Sequence, residues 1–221
     1  MHLEKKNNLF SGTCIALLEI LVFIYFSSML RLEYTSLKNI NIISYYWLLF
    51  TILTFIWEIS YIIHFKKISN LAKQLIYKKQ HVWTNQYDIS FIIPSKLATI
   101  FYAEYGAYAD REYMLSNNDW SRIVEGTHAF ICGIYAISSI YCKINNNQNN
   151  YLISIGLSMG SQLMNSILYI SNYLIQTKNV NNVNFNSNDF PTGYLLLKRP
   201  FMYINIFWTI MPLYVLINDL L

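Results

Sequence analysis

Apolar residues run along this chain in long, almost unbroken blocks, separated by short polar stretches. A hydrocarbon core about 30 Å thick needs about 20 apolar residues in a helix to cross it. Five stretches meet that requirement: 13–30, 43–63, 123–141, 151–175 and 201–221. The first follows Lys5 and Lys6 in the manner of a signal peptide. Ser27-Ser28-Met29-Leu30 lacks the small-residue pattern of a cleavage site, so the stretch reads as a retained helix. Between the second and third spans lies a further apolar and aromatic segment, 89–109, broken by Pro94, Lys96 and Glu104. It is too polar to cross and reads as a segment lying at the membrane surface, with Tyr77-Lys78-Lys79 and Val82-Trp83 suited to the headgroup region. The Asn-rich stretches 145–150 and 179–188 read as solvated loops. The pattern predicts an all-α fold: one integral membrane domain over 1–221, a five-helix transmembrane bundle with an interfacial segment between the second and third spans.

Composition supports a membrane class. The chain of 221 residues is 54% hydrophobic and only 13% charged, with a mean hydropathy of +0.28. A soluble domain carries about 25% charged residues. Nineteen tyrosines and five tryptophans suit interfacial belts. Cys14, Cys132 and Cys142 are dispersed and show neither metal-ligand spacing nor a disulfide framework. The net charge of +4 is spread between apolar segments, which is not the footprint of a nucleic-acid binder. Five spans would put the N-terminus, the 64–122 connection and the 176–200 loop on one face. That face holds all sixteen Lys and Arg residues except Arg31, Lys38 and Lys143, which makes it the cytoplasmic one.

Carboxylates inside the spans carry the candidate chemistry. One ionisable side chain at the bilayer centre costs about 2.5–3.5 kcal/mol on insertion scales, so it is read first as functional. Thr54, Glu58 and Tyr61 fall on one face of the second span. Glu125, His128 and Cys132 form a similar stripe in the third, too few ligands for a zinc site. Asn205 and Trp208 are one turn apart in the fifth. Each has a plainer reading. Glu58 could fix packing through a hydrogen bond across the bundle, His128 could be a satisfied bundle histidine, and Trp208 could be packing. Glu19, in the first span, reads as a packing hydrogen bond. Against these stands one chemical combination. A carboxyl group removed from water holds its proton more tightly, and two in one cavity separate into an acid and a base. With an indole to stabilise a transient cation, that equipment suits double-bond migration in a molecule dissolved in the bilayer.

Several motifs carry a resemblance. They are Glu104-Tyr105 followed by Asp110-Arg111-Glu112-Tyr113-Met114-Leu115-Ser116-Asn117-Asn118, the pairs Trp57-Glu58 and Val124-Glu125, and the run Asn205-Ile206-Phe207-Trp208-Thr209-Ile210-Met211-Pro212. Over about 40–221 the chain resembles the emopamil-binding protein family, sterol Δ8–Δ7 isomerases of the endoplasmic reticulum that carry the EXPERA domain. The resemblance implies Glu58 and Glu125 as the two acids of proton exchange, with Asn205 as a positioning group and Trp208 as the cation-facing ring. Thr54, Tyr61 and Tyr105 would join them around the substrate. Three positions depart from the family. Thr54 replaces a histidine, Met164-Asn165-Ser166 replaces Tyr-Gly-Asp, and His128 replaces a threonine, which would return an imidazole to the cavity from another helix.

The resulting expectation is a multi-pass protein of the endoplasmic reticulum membrane with a cytoplasmic N-terminus. It would be a 3β-hydroxysteroid Δ8–Δ7 isomerase with Glu58, Glu125 and His128 as catalytic residues. The reaction is redox-neutral and calls for no metal or cofactor, and the chain has no dinucleotide fingerprint. The partners implied are a sterol within the bilayer, amphiphilic amines that mimic the cation, and a second copy of the chain as a homodimer. The alternative is a non-catalytic EXPERA-domain protein that binds or traffics sterols and amphiphilic amines, a reading favoured by Thr54 and Ser166.

Overall fold

A computed structural model describes residues 9–111, 119–176 and 200–220. Among the described residues, one pair of three-residue strands accompanies the helices. Strand β1 (Leu9–Ser11) leads directly into α1 (Gly12–Glu33), whose start is fixed by the Ser11 hydroxyl accepting from the Cys14 amide at 3.2 Å. After α1, a short 3-10 helix (Thr35–Asn39) turns the chain, and Arg31 ties that turn down by donating to the Lys38 and Ile40 carbonyls. Asn41 then caps α2 (Ile42–Lys78), its side-chain oxygen accepting from the Ile43 and Ser44 amides.

Helix α2 is the axis of the molecule. At about 1.5 Å per residue its 37 residues extend about 55 Å, well beyond a hydrocarbon core of about 30 Å. The sequence predicts a span ending at Ile63, but the helix continues. It bends at His64 (φ −103°, ψ 16°) and runs on because Phe65, Ile68, Ala72 and Leu75 recur at helical spacing and are buried. Lys79 ends it in the left-handed conformation, φ 51°. The following turn folds back on α1. Strand β2 (Gln86–Asp88) pairs antiparallel with β1, and the Gly12 and Thr13 amides donate to the Asn85 and Trp83 carbonyls. A Cβ at residue 12 would run into the Val82 carbonyl, so the close approach of the two backbones requires glycine. The strand pair is a small addition to the all-helical fold that the sequence predicts. Three residues on either side are too short for alternation to show in the sequence.

The 89–109 segment becomes a short 3-10 helix (Ile89–Ile92) and helix α3 (Pro94–Tyr108), with Pro94 at its first turn. Helix α3 packs along α2: Phe101 meets Trp57, Tyr102 meets Glu58 and Tyr61, and Tyr108 donates to the Leu75 carbonyl. Nine of its fifteen residues are buried, so the segment is a packed layer of the bundle. Glu104 pins its far side, accepting from His81 Nδ1 at 2.6 Å and the Val82 amide at 3.0 Å.

Helices α4 (Asp119–Ile144), α5 (Gln148–Gln176) and α6 (Pro200–Leu220) complete the fold. The 145–150 run, expected as a loop, contains only a tight turn. Asn146 takes φ 55°, the Asn147 side chain accepts from the Asn150 amide, and Gln148 already starts α5. The 179–188 stretch lies outside the described residues. Helices α4 and α5 are joined by Ser158 Oγ donating to the Cys132 carbonyl at 2.8 Å and by the Ser138–Ser154 hydroxyl pair at 2.9 Å. Tyr151 donates to Asp219 and Tyr214 to Asn41, so the ends of α1 and α6 and the starts of α2 and α5 lie together.

Among the described residues, four helices are long and apolar enough to cross a membrane: Gly12–Glu33, Ile42–Lys78, Arg122–Ile144 and Met202–Leu220. Exposed Leu17, Leu21, Ile24, Ile134, Ile137 and Ile210 give them an apolar outer surface. The expected fourth span, 151–175, is helical but does not join them. Ser154, Ser158, Gln162 and Ser166, one turn apart and buried, lower its hydropathy while facing the bundle.

Candidate functional site

Among the described residues, polar side chains between the helices form three hydrogen-bonded groups, joining α2 to α3, α4 to α5, and α3 to α5 and α6. On α2, Glu58 accepts a short hydrogen bond from the Tyr102 hydroxyl of α3. Tyr61, fully buried one turn on, stacks its ring 5.0 Å from that of Tyr102. On α4, Glu125 Oε2 accepts from Asn165 Nδ2 of α5 at 3.0 Å, with His128 Nδ1 3.9 Å away. Nε2 of His128 is buried with no hydrogen bond among the described residues.

Burial first, then the charges of Glu58, Tyr105 and Glu125, hold the Tyr102 phenol well above the usual tyrosine range. Tyr105, one turn along α3, is raised in the same way by burial and then by Asp110, with Glu125 also contributing. The Tyr105 hydroxyl lies 2.9 Å from that of Tyr169, which itself donates to Asp110 Oδ2 at 2.6 Å. Since Tyr169 has one proton to give, Tyr105 is the donor between them. Asn205 of α6 hydrogen-bonds to Tyr105, and the Tyr173 ring stands 5.1 Å from that of Tyr169. Glu58, Tyr102, Tyr105, Glu125, Asn165, Tyr169, Asp110 and Asn205 thus connect helices α2 to α6.

Of the residues singled out from the sequence, Glu58, Tyr61, Tyr105, Glu125, His128 and Asn205 lie in or beside this network. Thr54 does not reach it by any hydrogen bond described; its hydroxyl donates to the Thr51 carbonyl one turn back. Trp208 stands one turn from Asn205. It packs against Trp47 (ring centroids 4.6 Å) and Phe50 (5.3 Å), and its carbonyl accepts from Ser166. Sequence reasoning missed Tyr102, Tyr169 and Tyr173. Asp110 and Asn165 entered only as parts of motifs. Tyr102 sits in a segment whose polarity pointed outward, and one tyrosine among nineteen carries no signal of its own.

Glu19 belongs elsewhere. Its Oε1 accepts from Trp57 Nε1 at 3.3 Å, at a cavity between α1, α2 and α3 that neither Glu58 nor Glu125 lines. No cluster of three or more His, Cys, Asp or Glu that could hold a metal occurs among the described residues. No family model, curated protein or solved structure matches the chain.

Proposed function

We propose that the protein is a multi-pass membrane enzyme that moves a ring double bond of a 3β-hydroxysterol from Δ8 to Δ7. The observation that carries this reading is two acids within apolar helices, Glu58 and Glu125, each held by a neutral donor from a neighbouring helix. One carboxyl group delivers a proton to the ring alkene and a cation forms on the neighbouring ring carbon. The other carboxylate removes an adjacent ring proton, which restores a double bond one position along. The proton gained equals the proton lost, so no electron carrier enters. His128, whose Nδ1 lies 3.9 Å from Glu125, exchanges protons with it, and its buried Nε2 is left to face the substrate. Asn205 orients the substrate beside Tyr105, and Trp208 faces the cation from one turn further along α6.

In this reading α5 crosses the membrane together with α4, to which it is hydrogen-bonded at two separate levels. Five spans then place the N-terminus on the Lys-rich, cytoplasmic side of the endoplasmic reticulum membrane. A second reading, a non-catalytic binder of sterols and amphiphilic amines, is favoured by one arrangement: neutral donors, Tyr102 and Asn165, already occupy both carboxylates.

Complementation separates the two. In a yeast strain lacking sterol isomerase, mass spectrometry of accumulated Δ8 sterols should show them cleared by the wild-type chain but not by Glu58→Gln or Glu125→Gln. A wild-type chain that leaves the Δ8 sterols in place while binding tertiary amines rules out turnover and supports the binder.

A further inference from the structure

Away from that network, α1, α2 and α3 enclose a cavity of about 240 Å³. Its walls are aromatic: Phe23 from α1, Phe50 and Trp57 from α2, Trp83 from the turn after α2, and Phe101 from α3. Glu19 is the one charged side chain lining it among the described residues. Glu19 is 4% exposed, and its one hydrogen bond among those residues is the 3.3 Å contact from Trp57. That is long for N–H···O, and it leaves Oε2 for a second donor. A buried acid with no cationic partner among the described residues, at a depth where charge costs about 2.5–3.5 kcal/mol, is incomplete.

We propose that this cavity binds a small apolar amine, its ammonium group pairing with Glu19 and its ring system stacked among Phe23, Phe50, Trp57 and Phe101. An ammonium supplies the charge that the carboxylate lacks, and aromatic faces attract cations as well as apolar bodies. A hydroxyl would make the hydrogen bond but leave the charge unbalanced. Size narrows the class further. Cavities for drug-sized ligands measure about 300–1,000 Å³, so 240 Å³ fits one or two rings and excludes the four of a sterol. The site is separate from the isomerase reading. Trp57 and Phe101 line the cavity, whereas their chain neighbours Glu58 and Tyr102 bond to each other outside it.

The test is equilibrium dialysis of the full chain in detergent micelles against 2-(2-naphthyl)ethylamine and its neutral counterpart 2-(2-naphthyl)ethanol, with empty micelles as the blank. The wild-type chain should bind the amine saturably and about tenfold or more tighter than the alcohol. Glu19→Gln should bring the amine down to the level of the alcohol. Ala16→Leu, which narrows the cavity and keeps the acid, should weaken both. Glu125→Gln should leave amine affinity in place. No saturable amine binding, equal affinity for the alcohol, or loss with Glu125→Gln but not with Glu19→Gln would each overturn the proposal. Should Glu19→Gln fail to fold, the amine-over-alcohol preference and Ala16→Leu decide the same question.

Discussion

Tyr102 of α3 holds Glu58 of α2 by a hydrogen bond, which makes it an informative single substitution. Tyr102→Phe keeps the ring against Tyr61 but removes the proton donated to Glu58. A hydrogen bond to a charged group contributes about 1.5–3 kcal/mol, so the free energy of unfolding should fall by up to that order. Clearance of Δ8 sterols should fall at the same time. A variant with wild-type stability and turnover would remove Tyr102 from the site. At the surface, Asp88 offers a pH-dependent counterpart. Hydrogen bonds from the Ser90 amide and hydroxyl, aided by Lys96, hold its carboxyl below the usual aspartate range. A lowered folded-state value contributes stability that is present above the unfolded value and lost as pH falls through the lower one. The protection factor of the Ser90 amide, its exchange rate relative to the intrinsic rate at the same pH, should therefore fall on acidification in the wild-type chain. In Asp88→Asn it should show no such acid-side change.

Helices meet in two ways here, through serine hydroxyls between α4 and α5 and through close backbone contact at the start of α1. The second is the more fragile. The first turn of α1 is held by backbone carbonyls of the turn after α2, and this works only because residue 12 lacks a side chain. Gly12→Ala forces the two backbones apart. Overpacking of this kind costs about 1–3 kcal/mol, so limited proteolysis should cut faster in the 82–88 region. Unchanged cleavage would mean that the contact contributes little. Gly133 plays a similar part between α4 and α2, where a Cβ would run into the Phe55 ring.

For the molecule as a whole, α1, α2, α4, α5 and α6 alternate in direction, while α3 runs alongside α2 in the same sense. The start of α1 and the end of α2 lie at one end, and the turn at Asn146 and the end of α6 lie at the other. If α5 crosses with α4, single cysteines at Asn146 and Gln176, before and after α5, sit on opposite sides of the membrane. In sealed microsomes an impermeant maleimide should label one of the two positions before permeabilisation and the other only afterwards. Labelling of both before permeabilisation would remove the five-span arrangement.

The sequence by itself determined where helices form. Apolar runs 18 to 25 residues long fix the helical stretches, because a backbone surrounded by hydrocarbon must satisfy its own hydrogen bonds. It also marked Glu58 and Glu125, since charge inside such a run stands out against its neighbours. It did not reveal that α2 continues past Ile63, that α3 lies against it, or that Tyr102 and Asn165 are the partners of the two acids. Lys66, Lys67 and Lys73 left the second half of α2 in the connection between spans, while the residues between them were building a buried face. Only tertiary structure decided those contacts, because they join residues 40 or more positions apart, and no local period or propensity records which distant helix a side chain will meet.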